Sequence, residues 1–149
     1  MATNLNLTNE EITLLKEEAV KAQSKAYCPY SKFHVGCALM TKSGAIYHGC
    51  NVENASYSAG ICAERTAIVK AVSEGETEYK AIAIITDSPD CASPCGVCRQ
   101  FIREFATSNS VDGKPLQLPI IMFDKSTTKY LIKTLDELLP NSFGPEDLC

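Results

Sequence analysis

The chain predicts an α/β fold with three layers, α/β/α, around a mixed sheet of about five strands. Three observations carry this expectation. Stretches with apolar residues at helical spacing alternate with short strand-like runs, the pattern of a sheet covered by helices. One run, "AIAIIT" at 81–86, is apolar throughout, as a strand buried on both faces requires. The last two strand-like runs are separated only by "DKSTTK", which leaves no room for a crossover helix, so that pair is antiparallel.

The elements follow in order. In "TNEEITLLKEEAVKAQSKAY", Thr8 and Glu11 make a capping box, and Ile12, Leu15, Ala19, Ala22 and Ala26 share one face of a first helix. "HVGCALM" and "AIYHGCN" flank "TKSG" and read as a hairpin whose turn geometry Gly44 supplies. A second helix spans 61–74, with Ile61, Ile68 and Val69 toward the core and Gly75 as its stop. The buried strand 81–86 comes next. Pro94 introduces a third helix in "CGVCRQFIREFA", with Val97, Phe101, Ile102 and Phe105 on its apolar side. "LPIIMF" and "YLIK" are the closing strands, and a short last helix opens at Thr134, is boxed by Glu137 and stops at Pro140. The 149 residues show no repeat, low-complexity tract or linker, so one domain over 1–149 is expected.

Composition narrows the function. With 45% hydrophobic and 21% charged residues the chain is globular, and no segment approaches the ~20 apolar residues of a membrane span. The net charge of -4, with fourteen Lys and Arg scattered along the chain, offers no basic field to a polyanion. Neither nucleic acid nor membrane is an expected partner. The start, "MATNLNLTNEEI", carries neither the basic region nor the apolar core of a secretory signal. The eight cysteines are therefore expected in a reducing, cytoplasmic setting, where clustered thiols mean metal or catalysis more often than disulfides.

Cys28, Cys37, Cys50 and Cys149 have ordinary surroundings and read as structural or incidental; Cys91 differs only in its nearness to the next pair. Cys95 and Cys98 form C-x-x-C at a helix start, a spacing that suits two ligands of one tetrahedral ion, and the helix dipole lowers thiol pKa values. A redox dithiol needs the same features, so the pair alone leaves zinc and redox chemistry equally open. Cys62 breaks the tie. It too sits at a helix start, and both helices are expected to pack on the same sheet. Three thiolates with a fourth position left to water describe a catalytic rather than a structural zinc. His34 and His48, the only histidines, have no spacing that ties them to this cluster and read as surface or satisfied core residues.

Glu64 is too close to Cys62 to share the ion comfortably, yet on the first helical turn its carboxylate reaches the water position, the place of a general acid and base. The plainer alternative is a glutamate that merely favours the helix dipole. Arg65, by donating to the sulfurs, would offset the excess negative charge of three thiolates on a dication; the alternative is a solvated helix arginine.

"CAE" followed by "PCGVC" resembles the zinc-dependent nucleoside and nucleotide deaminases. With "CPYSKFHVG", "NVENASYS" and "LLPNSFGPEDL" added, the chain is similar almost end to end to the short, homotetrameric cytidine deaminases. The resemblance implies a cytidine deaminase-like fold, one Zn2+ per subunit on Cys62, Cys95 and Cys98, and Glu64 as proton shuttle. It implies that Asn51 and Glu53 bind the ribose hydroxyls, that Asn54 also contacts substrate and that Phe33 stacks on the base. Ala55, Tyr57 and Phe143 are implied to serve a neighbouring subunit's active site, which makes the homotetramer part of the catalyst. The implied reaction is hydrolytic deamination of cytidine and 2′-deoxycytidine to the uridine nucleosides and ammonia, in pyrimidine salvage. In that reaction backbone groups at Ala63 and near Ser93 orient the exocyclic amine.

Residue chemistry agrees at two points. Glu53 suits sugar hydroxyls and repels a phosphate, which argues for a small nucleoside over a nucleotide. "SFGPEDLC" is too short and too rich in Gly and Pro for a core element, so Phe143 is expected to dock on a partner chain. One departure is Cys28, where relatives often carry a small hydroxyl residue before the proline; no catalytic consequence is expected. The rivals are deamination of another aminopyrimidine, polynucleotide editing, a CGVC redox protein and a zinc-stabilised interaction module.

Overall fold

Helix α1 (Asn9–Gln23) begins where the capping box places it: the Thr8 side chain accepts the Glu11 N–H and the Glu11 carboxylate accepts the Thr8 N–H. Leu15, Ala19 and Ala22 are buried, whereas Ala26, expected on the same face, lies past the helix end. There the Ser24 hydroxyl donates to the Lys21 carbonyl at 2.6 Å and competes for a last-turn acceptor, and the chain turns so that Tyr27 N–H meets Asn51 O. The computed structural model describes residues 5–111 and 113–148; Cys149 lies outside the described residues.

Strands β1 (Val35–Thr41) and β2 (Ile46–Cys50) form the hairpin, with Gly44 at φ 92° in its turn. Helix α2 (Ala63–Ser73), strand β3 (Tyr79–Thr86), helix α3 (Gly96–Phe105), strands β4 (Pro119–Phe123) and β5 (Tyr130–Thr134) and helix α4 (Leu135–Leu138) follow. The sheet order is β2-β1-β3-β4-β5; β1 is antiparallel to both its neighbours, β3 and β4 are parallel, and β4 and β5 are antiparallel, as the short "DKSTTK" connection required.

β3 runs through the middle and is buried on both faces from Ala81 to Thr86. Its alternation divides the core. Ala81, Ala83 and Ile85 pack with Leu15 and Ala19 of α1, while Ile82 and Ile84 pack with Ala67 and Ile68 of α2 and Ile102 of α3. The three-layer α/β/α arrangement follows. Two expected core positions are not in it. Val69 is 40% exposed and Val97 63% exposed, because α2 buries Ala67, Ile68 and Ala71 and α3 buries Cys98 and Ile102, and each valine lies off that stripe. Ile61, just before α2, is half-buried and lines a cavity instead of the core. Among the described residues no helix is long and apolar enough to cross a membrane.

Two strand glycines set how close the helices come. A Cβ on Gly36 would collide with α1 at Ala19 and Gln23, and one on Gly49 would collide with α2 at Ala63 and Ala67. The topology then fixes where chemistry collects. β2 and β3 flank β1 and both oppose it, so they run in the same direction and end at the sheet end where β1 begins. The helices that follow them start there too. The residues before β1 and the first turns of α2 and α3 are thereby gathered from distant parts of the sequence.

Candidate active site

Cys62 is the N-cap of α2, Cys95 is the N-cap of α3 and Cys98 lies in the first turn of α3. Cysteine is a poor cap, and these two do little capping: Cys62 accepts no helix N–H and Cys95 takes only a 3.5 Å contact from Cys98 N. Their sulfurs turn toward each other. All three lie within 4.8 Å of one another, with Cys62 and Cys95 at 3.8 Å. A tetrahedral zinc with bonds near ~2.3 Å places its sulfur ligands about 3.8 Å apart, so the donor set fits that ion. Among the described residues this is the only group of three such ligands.

Arg65 Nη2 points at Cys62 Sγ, 3.7 Å away, while its buried Nε has no hydrogen-bond partner. The guanidinium therefore lies against the thiol cluster. The hydrogen bond from Cys98, with further help from Arg65 and Cys95, draws the Cys62 thiol down to about 5; the same bond and burial push Cys98 up. This arrangement favours the thiolate form that a metal ligand needs.

Glu64, in the first turn of α2, is 5% exposed, and the Cys98 thiol lies 3.7 Å from its Oε2. Burial, reinforced by the negative charge of Cys62, pushes its carboxyl above the ordinary range. A carboxyl whose charged form is disfavoured by burial is suited to hold and pass on a proton as a general acid and base.

A cavity of about 720 Å³ opens over these groups, within the range of small-molecule sites. Phe33, Asn51, Glu53, Asn54, Tyr57, Ala63, Glu64 and Ser93 line it together with Cys62, Arg65 and Cys95. Cys98 is fully buried beneath. Ala55 and Phe143 do not line this cavity. Phe143 is 56% exposed on the carboxyl-terminal segment, where its carbonyl accepts from Gln100 Nε2. Among the described lining residues Arg65 is the only Lys or Arg, it is turned to the sulfurs, and Glu53 adds a negative charge, so a phosphate finds no free cation.

The polar lining is held in place. Glu53 Oε1 accepts the N–H groups of Tyr30 at 3.0 Å and Ser31 at 3.1 Å, and the bonding to Ser31 above all lowers its pKa. The carboxylate stays ionised with its other oxygen left for a ligand. Asn51 does more than its sequence position suggested: Nδ2 donates to Phe33 O at 2.8 Å and Oδ1 accepts Val35 N–H at 2.9 Å. One amide N–H remains for a ligand.

Sequence reasoning passed over several lining residues. Tyr30 and Ser31 sit within "CPYSKFHVG", and the Tyr30 and Tyr57 rings meet at the rim, 5.9 Å apart. Arg99 anchors the turn before α3: it donates to Pro94 O and Ser93 Oγ, both at 2.7 Å, and to Leu138 O at 2.8 Å. Its signal was an arginine directly after C-x-x-C. Neither His34 nor His48 joins the thiols; they bond Asp87 and Glu18.

Residues 9–113 match the family described as the cytidine and deoxycytidylate deaminase zinc-binding region. The chain is 46% identical over 138 residues to the cytidine deaminase of Sporosarcina psychrophila, covering 93% of this chain and 95% of that one. It is 44% identical over 143 residues to a probable cytidine deaminase of Dictyostelium discoideum, covering 95% and 90%. The crystal structure of the cytidine deaminase from Burkholderia pseudomallei matches with a TM-score of 0.79 at 39% identity, over 92% of this chain and 100% of that one.

Proposed function

Since the chain belongs to the cytidine and deoxycytidylate deaminase zinc-binding family, we propose that it is a single catalytic domain that hydrolyses cytidine and 2′-deoxycytidine to the uridine nucleosides and ammonia. The observation that carries this reading is the buried Glu64 carboxyl beside three convergent thiols at the floor of a nucleoside-sized cavity. Cys62, Cys95 and Cys98 would hold Zn2+, which when bound supplies the Lewis acidity that makes water a nucleophile near neutral pH.

The chain's own residues do the rest. Glu64 takes a proton from the attacking water, delivers it to ring N3 and then helps protonate the departing amine. Its burial suits it to both directions of transfer. Backbone groups of Ala63 and Ser93 orient the exocyclic amine, and Phe33 stacks on the base. Glu53, with Asn51 and Asn54, holds the sugar hydroxyls, while the lack of a free cation in the lining turns away nucleotides. Arg65 offsets the thiolate charge. Ala55, Tyr57 and Phe143 serve a neighbouring subunit in a homotetramer; the exposure of Tyr57, 81%, and of Phe143 supports this assignment. A cytoplasmic setting, where thiols stay reduced, suits such a site.

A metal measurement paired with the loss of cytidine ultraviolet absorbance tests the reading. The expected result is about one zinc per chain and release of ammonia from cytidine, with deoxycytidylate at least ~10²-fold poorer in kcat/KM. Little metal with a reversible Cys95–Cys98 disulfide would instead mark a redox protein. Bound zinc without ammonia release from any cytosine nucleoside would mark an interaction module. Light scattering that found a stable, active monomer would overturn the tetramer.

A further inference from the structure

We propose that Asp87, acting through His34 and Gln23, is a positioning residue for nucleoside binding: it latches the segment Phe33–Val35 that presents Phe33 to the cavity. The inference rests on the reading of that cavity as the nucleoside site.

Phe33 lies in the irregular stretch just before β1, without strand pairing of its own, and its ring is part of the cavity wall. Packing alone does not hold it, since the residue is 40% exposed. Lys32, immediately before, has φ 58°, a conformation that a lysine adopts only when its neighbours are fixed. What fixes them is a set of polar contacts that uses every main-chain N–H and C=O from Phe33 to Val35. Phe33 N–H donates to Ser31 Oγ, Phe33 O accepts from Asn51 Nδ2, Val35 N–H donates to Asn51 Oδ1, and Val35 O accepts from Asn51 N–H. These contacts account for the groups on either side of His34.

The groups of His34 itself are held from the opposite direction. Asp87, directly after β3, accepts the His34 main-chain N–H on Oδ2 at 2.7 Å and faces His34 Nδ1 with the same oxygen at 2.8 Å. Gln23, at the end of α1, donates to His34 O at 3.1 Å and reaches Asp87 Oδ1 at 3.4 Å. Gln23 has no latitude there, because Gly36 brings α1 hard against β1 at that residue. Partial burial raises the Asp87 pKa, but the donors from His34 outweigh it and keep the carboxyl below its ordinary range. One ionised side chain thus ties α1 and the end of β3 to the loop that carries Phe33. A ring so held meets the base in the ground state and the transition state alike, so its loosening should weaken binding without slowing chemistry.

The test is steady-state kinetics with cytidine on zinc-loaded wild type, Asp87→Ala, Asp87→Asn and His34→Ala. Asp87→Ala is expected to raise KM about 10-fold with kcat within about 2-fold of wild type and unchanged zinc content. Asp87→Asn keeps an acceptor for the His34 N–H and should recover most of that loss. His34→Ala keeps the main-chain donor and should have the smaller effect. The proposal is overturned if KM stays within about 2-fold of wild type in Asp87→Ala, or if kcat falls at constant KM. It is also overturned if Asp87→Asn behaves no better than Asp87→Ala, or, should the alanine variant not fold, if His34→Ala leaves KM indistinguishable from wild type. Failure of wild type to turn over cytidine refutes the nucleoside reading itself, a result distinct from an unchanged KM in the variants.

Discussion

Replacing Gly49 with alanine is a sharp test of how the sheet positions α2, the helix that carries Cys62 and Glu64. The added carbon would lie 2.9 Å from Ala67 Cβ and nearer still to Ala63 O and Ala67 N. Carbon atoms pack comfortably at about 3.5–4.0 Å, so α2 must retreat by about 1 Å. The colliding atoms are mostly helix backbone and cannot swing aside. Ala63 adjoins Cys62 and Glu64, so one zinc ligand and the proposed proton shuttle move with the helix while Cys95 and Cys98 stay on α3. Overpacking of this kind costs about 1–3 kcal/mol, and each kcal/mol lowers Tm by about 2–4 °C in a domain of this length. Misplacement by about 1 Å at a reacting centre costs on the order of 10²-fold in rate. Thermal melts, zinc content and cytidine turnover should therefore report a Tm lowered by about 2–12 °C and kcat reduced about 100-fold. Gly44→Ala is the control: nothing lies within 4 Å of its Cβ, but φ is +92°, so it should lose about 1–2 kcal/mol of stability and no activity. Wild-type turnover in Gly49→Ala would refute the argument that this contact positions α2.

Three further outcomes are expected. Glu64→Gln should keep zinc and fold yet lose about 10²–10⁴ in kcat, about 2.7–5.4 kcal/mol of transition-state stabilisation, and turnover near wild type would remove Glu64 from its role. Cys95→Ala leaves two sulfurs where three converge, so metal analysis after dialysis should find zinc well below one per chain while the circular dichroism keeps its helix and strand content. Asp124 is held down to about 2 by Ser126 first, then by Lys129 N–H and Thr128. Its folded pKa lies below the unfolded value, so its contribution is complete above pH ~4 and is lost as pH falls toward ~2. Melts of Asp124→Asn against wild type should differ at pH 7, draw together between about pH 4 and pH 2 and converge only below about pH 2, and a gap undiminished across that window would count against the loop bonds as its source.

Local rules are legible in the order of the residues. Both capping boxes, at Thr8 and Thr134, form as their spacing requires, and the short "DKSTTK" connection does pair β4 with β5 antiparallel. Such features depend on neighbours a few residues apart, and their physics is written in a few letters. Where periodicity draws the helical faces too broadly, at Ala26, Val69 and Val97, packing sets the helix end or the tilt of its buried stripe.

For the site, the chain alone determined the reactive parts: thiols at helix starts, a glutamate one turn in, and an arginine beside them. Only the tertiary structure decided which of those parts meet and what surrounds them. Cys62 reaches Cys95 across 33 residues because β2 and β3 both oppose β1 and deliver their following helices to one end of the sheet. The bonds of Asp87 to His34 span 53 residues, and the contact with Gln23 spans 64. Asn51 is turned toward the Phe33 loop by the same folding. No spacing rule reports such contacts, since a side chain's partner across a sheet end is set by strand direction and by how closely each helix lies on it. Here two glycines, Gly36 and Gly49, set that closeness.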